Sequence, residues 1–178
     1  MIQLRSPLLS FALFAALVPI TTSTPAAQST HITDVHNIDT ECNAIQNAIM
    51  ALKPVHVALI KGTWQVLSDA DLTVAEQMKK SITFADVWKQ GNNYAWVHSH
   101  TFDANGNQRA TQLCFRQSDG TLERAKQATT VPSLRAAAAK TAYYAADGTI
   151  LQQAIGFDIN DPAIAKKVSD LPYYKVLP

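Results

Sequence analysis

The chain has 178 residues, with 15 basic and 14 acidic side chains, so its formal net charge is only +1. A nearly neutral chain without clusters of Lys or Arg is a poor candidate for binding nucleic acid or an anionic membrane surface. Basic side chains are what bind nucleic-acid phosphates and anionic lipids. Charged residues make up 16% of the chain, which is below the usual proportion of about a quarter. This composition favours a compact domain with a polar surface.

Residues 1–27 have the pattern of a secretory signal peptide. Arg5 is the only charged residue in this segment, and an apolar run of about a dozen residues follows it at 8–18. That run is too short to span a hydrocarbon core, which needs about 20 residues. We expect cleavage after Ala26 or Ala27, although an uncleaved anchor or a buried helix is the alternative. No cysteine follows the run directly, which argues against a lipoprotein.

After the signal peptide we expect a flexible N-terminal arm at residues 28–37 and a single globular domain at residues 38–178. The arm is polar and has no hydrophobic period, as is typical of a loose terminus. Removal of 27 residues from 178 leaves 151, which is enough for one hydrophobic core. No later stretch is long and apolar enough to span a membrane. The sequence therefore predicts a secreted or periplasmic protein.

Two cysteines, Cys42 and Cys114, follow the signal peptide. An even number of cysteines in an exported chain indicates a disulfide. This bridge closes a loop of roughly 70 residues and contributes about 4 kcal/mol on the chain-entropy model. The alternative is two buried free thiols, which pack as small hydrophobic groups. No catalytic signature surrounds either residue.

An N-terminal helix is predicted over residues 39–53. Asp39 or Thr40 is suited to cap its start, and Pro54 stops it. Apolar side chains recur at helical spacing and form one stripe that must pack on another element. The residues of this stripe are Cys42, Ile45, Ile49 and Leu52.

Hairpin signals dominate the chain after residue 82, whereas residues 55–81 do not separate strand from helix by period. The turn signals are Gly91, Asn105-Gly106, Asp119-Gly120 and Asp147-Gly148. Asn-Gly and Asp-Gly favour two-residue hairpin turns, since both central residues of a type I′ turn have positive φ. A short helix is expected to open at Asp161-Pro162.

The predicted fold class is α+β. We expect a single curved antiparallel β-meander of about five or six strands, with the N-terminal helix packed across one face. The helix has one apolar stripe and the sheet needs one face covered, so each buries the apolar surface of the other.

The predicted strand at residues 94–102 has an aromatic face, because alternate side chains of a strand share a face. With one residue from the preceding strand, the candidate ligand-binding residues are Trp88, Tyr94, Trp96, His98, His100 and Phe102. An aromatic-lined concavity is the usual form of a small-molecule or lipid site. The alternative is a filled core beneath the helix, since aromatic strand residues usually lie in cores.

His98 and His100 also form a possible metal-binding pair, because imidazoles at i and i+2 of a strand point the same way. A zinc site would need a third ligand such as Asp103, Asp86 or His56. The sequence does not determine that ligand, and partly exposed histidines on an edge strand are the alternative. We therefore expect no bound metal or other cofactor.

No complete catalytic motif is present: there is no nucleophile elbow, zinc-protease motif, P-loop or dinucleotide fingerprint. The expected function is a non-enzymatic ligand-binding or carrier/interaction module. Its partner would be an apolar or aromatic small molecule, a lipid or an envelope protein. The alternative is a small metal-dependent or acid/base enzyme that uses His98 and His100.

Overall fold

The computed structural model describes residues 25–68, 70–71 and 83–178. The predicted signal peptide lies almost entirely outside the described residues, and only residues 25–27 are described, at the start of the helix α1. No helix in the described part of the chain is long and apolar enough to cross a membrane.

Eight strands form one open antiparallel sheet in the order β2-β1-β3-β4-β5-β6-β7-β8. The strands are β1 (Val55–Ile60), β2 (Thr63–Leu67), β3 (Thr83–Gln90), β4 (Asn93–Phe102), β5 (Gln108–Phe115), β6 (Leu122–Val131), β7 (Ala136–Tyr144) and β8 (Ile150–Gln153). The α+β class and the antiparallel sheet are confirmed. The expected number of about five or six strands is wrong, since the described residues form eight.

The additional strands come from segments with weak sequence signals. β1 and β2 are joined by Lys61 and Gly62, whose φ angles of 49° and 80° are typical of a type I′ turn. Lys is not a usual residue at the first position of that turn, so the sequence does not indicate this hairpin. The exposed half of β7 is a run of alanine, which has a low preference for strands. By contrast, each of the four predicted turns connects two neighbouring strands.

α1 extends from Pro25 to Ile49, so the predicted limits of 39 and 53 are both wrong. Residues 28–37, for which the sequence predicts a flexible arm, have helical backbone. The sequence of this segment is polar and shows no apolar period, but most of its residue types are compatible with a helix. Three residues of the predicted stripe are buried against the sheet, whereas Leu52 lies beyond the helix and is half exposed.

The two faces of the sheet are covered by different segments. α1 covers what we call the helix face, where the buried residues are Ile38, Cys42, Ile45, Ile49, Ala95, Trp96 and Cys114. Residues 154–178 cover the C-terminal face, whose larger core includes Val57, Val87, Val97, Leu113, Phe115, Tyr144, Phe157, Leu171 and Tyr173. The fold therefore has a hydrophobic core on each side of one sheet.

The C-terminal segment folds back without the predicted helix at Asp161-Pro162. Asp161 accepts a hydrogen bond of 2.9 Å from the backbone N–H of Ala163, and such local bonds favour a turn over a helix. Only two short 3-10 helices follow, Val168–Asp170 and Tyr174–Val176. The segment thus crosses the sheet as a series of turns.

The disulfide prediction is confirmed. The sulfur atoms of Cys42 on α1 and Cys114 on β5 lie 2.08 Å apart, which is a disulfide distance. The bridge fastens α1 to the middle of the sheet across a sequence separation of 72 residues. A disulfide is compatible with an extracellular location.

Candidate ligand-binding cavity

A cavity of about 660 Å³ lies on the C-terminal face, between the sheet and the returning chain. Its polar lining residues are Thr83, Ser99, Thr101, Asp103, Asn107, Gln108, Arg109, Thr111, Thr129 and Asp161. Its apolar and aromatic lining residues are Leu59, Trp64, Val131, Pro162, Ala163, Pro172 and Tyr173. None of the six residues predicted to bind a ligand is among them.

Hydroxyl side chains form the floor of the cavity. Ser99 on β4 and Thr111 on β5 are cross-strand partners, and both are buried. The Ser99 hydroxyl donates to the backbone carbonyl of Thr111 at 3.3 Å. Thr83 on β3 faces Thr101 on β4, with 3.2 Å between their hydroxyl oxygens. Alternation along neighbouring strands therefore brings these hydroxyl groups to one face.

Charged side chains lie at one end of the cavity. The buried Asp161 carboxylate accepts a hydrogen bond of 2.9 Å from the Gln127 amide. Its Oδ2 atom also lies 3.5 Å from Nη1 of Arg109, whose side chain is 58% exposed. On the rim, hydrogen bonds from the side chain and backbone of Asn107 hold the pKa of Asp103 below its usual range. This end can therefore both donate hydrogen bonds to a ligand and accept them.

Two aromatic rings close the opposite side. The ring centroids of Trp64 on β2 and Tyr173 in the C-terminal segment lie 4.7 Å apart in an edge-to-face arrangement. Burial raises the pKa of the Tyr173 phenol, and the nearby charge of Asp86 adds to this effect. The phenol consequently keeps its proton at neutral pH.

The structure places two of the predicted ligand-binding residues in the core beneath α1. Trp96 is only 3% exposed, and Trp88 donates a hydrogen bond of 3.2 Å from Nε1 to the carbonyl of Leu52. Both side chains pack with the buried cluster of the helix face. They fill the space between helix and sheet, as in the alternative interpretation of the aromatic pattern.

Tyr94 does not share a face with the other predicted residues. An irregularity in register pairs Trp88 with Trp96 but Lys89 with Tyr94, so the alternation along β4 shifts by one residue. Tyr94 packs against the core of the C-terminal face, and its hydroxyl donates to the carbonyl of Pro178. The sequence shows no signal for this bulge.

His98, His100 and Phe102 remain together on the helix face, each half-buried. The ring centroids of the two histidines are 4.0 Å apart, and Phe84 stacks on His100 at 4.8 Å. Burial lowers the pKa of His98. Burial and the neighbouring His98 lower the pKa of His100 to about 4. Both imidazoles are therefore neutral at pH 7.

Two of the three candidate third ligands, His56 and Asp86, lie on strands beside the histidine pair, whereas Asp103 does not. His56 Nδ1 is 2.7 Å from Oδ1 of Asp86, and Asp86 is the cross-strand partner of both His56 and His98. Asp103 instead lines the cavity of the C-terminal face. Among the described residues, no three of these groups present ligand atoms within 4.8 Å of one another.

One group of described residues does bring its potential ligand atoms within 4.8 Å of one another. It consists of Cys42, Cys114 and Glu123. The two cysteines are joined to each other, and a disulfide sulfur is not the thiolate that metals bind. Glu123 pairs with Arg116 at 2.9 Å. This group is therefore structural.

The aromatic pattern of β4 indicates the face that packs toward α1, whereas the cavity lies on the other face of the sheet. Ser99 and Thr101 lie on the opposite face of β4 from the aromatic residues, and this alternation was the available signal. No family model matches the chain, and no curated protein or solved structure matches it either.

Proposed function

We propose that this chain is an exported, non-enzymatic binding module that holds a small molecule in the cavity of the C-terminal face. The observation that carries the proposal is the cavity itself, with a volume of about 660 Å³. Small-molecule sites commonly measure about 300–1,000 Å³ and combine apolar walls with a few polar groups.

The distribution of the lining supports a ligand with an apolar body and an uncharged polar end. Leu59, Val131 and Pro172 supply apolar surface, which favours burial of carbon atoms. At the polar end, the carboxylate of Asp161 already partners the guanidinium of Arg109. A hydroxyl or amide can donate and accept hydrogen bonds there without introducing an unpaired charge.

The hydroxyl groups of the floor support binding rather than covalent catalysis. A serine nucleophile needs a neighbouring base that takes its proton. The hydroxyl of Ser99 instead donates to the backbone carbonyl of Thr111. These hydroxyl groups are suited to orienting a ligand.

Export is supported by two independent features of the chain. Residues 1–27 have the charge, apolar run and small residues of a signal peptide. Cys42 and Cys114 lie at disulfide distance, and disulfides persist in oxidising compartments. Together they favour a protein that captures its ligand outside the cytoplasm.

The test uses the full chain, exported with its own signal and titrated with the neutral apolar dye Nile red. Thr129 lines the cavity and Thr130, the next residue, points to the other face; both are exposed. Thr129→Trp should weaken dye binding by about tenfold or more, because a bulky ring occupies the cavity, an effect of about 1.4 kcal/mol. Thr130→Trp is the matched control and should bind like wild type.

Native mass spectrometry of the same preparation complements the titration, since a co-purified ligand adds mass. Equal dye affinity in the two tryptophan variants would refute the proposed cavity. So would a loss of binding caused only by Phe102→Ala on the helix face. The denatured mass reports the cleavage site and therefore tests export separately.

A further inference from the structure

A row of polar and ionisable side chains crosses three strands on the helix face, on the other side of the sheet from the cavity. His56 on β1, Asp86 on β3 and His98 on β4 are successive cross-strand partners. His100 follows two residues after His98, so its ring lies beside that of His98 at 4.0 Å. The proposed ligand-binding function uses none of these four side chains.

We propose that His98, His100 and Asp86 form a second site, which binds a divalent transition-metal ion of the Zn²⁺ type. Imidazole nitrogens and a carboxylate are the ligands of such ions when three protein groups bind and one position stays open. The two histidines would bind through adjacent rings of one strand, and Asp86 would bind from the neighbouring strand. His56 would remain a positioning residue.

Hydrogen bonds to the row are suited to orienting the ligands. The side chain of Gln108 lies 2.6 Å from Nδ1 of His100. The amide nitrogen of Gln108 faces the ring and donates to Nδ1, so metal binding through Nε2 of His100 requires the Gln108 amide to turn and accept from Nδ1–H. His56 holds Oδ1 of Asp86 at 2.7 Å, so the second carboxylate oxygen can bind the ion.

The surroundings of the rings favour ligand nitrogens over charged imidazolium groups. Phe84 stacks on His100 with 4.8 Å between centroids, and both histidines are half-buried. A half-buried ring beside an aromatic neighbour loses the hydration that stabilises an imidazolium, which favours the neutral ring that metals bind.

The site is not preformed, because no three of these side chains bring their ligand atoms within 4.8 Å of one another. At least one ring must turn about its side-chain bonds as the ion binds. The affinity should consequently fall below that of a rigid structural zinc site, in which the ligands are already in place. Ca²⁺ and Mg²⁺ prefer oxygen ligands, so they should not compete.

The experiment is a competition between the tag-free, chelator-stripped full chain and a chromogenic zinc chelator. Wild type should bind one equivalent of Zn²⁺, with no competition from excess Mg²⁺. His98→Asn combined with His100→Asn should weaken binding at least about 100-fold, and Asp86→Asn by about 10- to 100-fold. His36→Asn is the matched control, because His36 is exposed on α1, and it should bind like wild type.

Thermal unfolding shows whether the variants fold, and zinc-edge X-ray absorption of wild type gives a test without any variant. Two nitrogen ligands from imidazole are expected in that spectrum. Absence of saturable zinc binding to wild type, or unchanged binding after the double substitution, would overturn the proposal. Nile red binding to the cavity should not change in the double variant, so this site and the proposed function can fail independently.

Discussion

Arg124 on β6 donates a hydrogen bond of 2.6 Å from Nη1 to the carboxylate of Asp39 on α1, although only 2% of the arginine side chain is exposed. The same nitrogen donates to Oδ1 of Asn43 at 2.9 Å. Tyr143 on β7 also donates to Asp39, at 3.1 Å, and the guanidinium lies 5.6 Å from the ring centre of Trp96. A buried cation therefore holds α1 on the sheet beside the disulfide.

Asp39→Ala should lower the free energy of unfolding by about 2 kcal/mol. The substitution leaves the Arg124 charge buried without its anion, which costs about 3–5 kcal/mol in fully buried pairs. The cost is smaller here because Asp39 is 42% exposed and Asn43 still accepts a hydrogen bond. The measurement is urea unfolding. Glu41→Ala, an exposed site on the same helix, is the control and should change stability by less than about 0.5 kcal/mol. Equal effects of the two substitutions would contradict a stabilising role for the contact between Asp39 and Arg124.

The same contact predicts a loss of stability in acid. Burial acts to raise the pKa of Asp39, but hydrogen bonds from Arg124 and Tyr143 and the charge of Arg124 outweigh it, so the pKa is lowered from 3.8. A carboxyl group whose pKa is lower in the folded state stabilises the fold above its unfolded pKa. That contribution is lost as the pH falls through the folded pKa.

Between about pH 4 and pH 2, wild type should therefore lose more stability than Asp39→Asn, which cannot titrate at this position. The measurement is thermal unfolding of both proteins across this pH range. If the thermal stability of the two proteins falls in parallel with pH, Asp39 does not contribute to the loss of stability in acid. Above pH 5 the difference between the two proteins should stay constant.

The disulfide should stabilise the chain by about 4 kcal/mol, since it closes a long loop in the unfolded state. Cys42→Ala with Cys114→Ala should lower the free energy of unfolding by about this amount. Relaxation of the fold around the lost bridge would make the decrease smaller. Reducing agent should destabilise wild type to the level of the double variant and leave the variant itself unchanged. A variant as stable as oxidised wild type would contradict the prediction.

Local sequence signals predicted the centre of the fold well. The hairpins at Gly91, Gly106, Gly120 and Gly148 depend on residues within each turn, and each of them is present. The edge formed by β1 and β2 was missed because Lys61 takes a positive φ of 49° that its residue type does not indicate.

The site was harder to predict than the fold, because it depends on contacts between distant segments. The bulge near Trp88 moves Tyr94 to the opposite face, and no residue of β4 indicates it. The cavity exists only because residues 154–178 return across the sheet, and a chain of turns has no period to recognise. The pairing of Cys42 with Cys114 was predictable, since only two cysteines are present.

Gln127 fastens that returning segment to the sheet. Its amide nitrogen donates to the carbonyl of Asp158 at 3.0 Å and to Oδ2 of Asp161 at 2.9 Å. Its amide oxygen accepts from the backbone N–H of Asp158 at 3.0 Å. Gln127 is only 8% exposed, so water cannot readily replace these three bonds.

Gln127→Leu keeps the approximate volume of the side chain but removes the hydrogen bonds to the backbone of Asp158 and to the buried carboxylate of Asp161. We expect a loss of about 2–3 kcal/mol in the free energy of unfolding. Hydrogen exchange should become faster at the amides of Asp158 and Ala163, because the segment opens locally. Gln152→Leu on β8 is exposed and serves as the control. Unchanged protection at Asp158 in Gln127→Leu would mean that apolar packing alone holds the segment, and the polar end of the cavity would then not depend on Gln127.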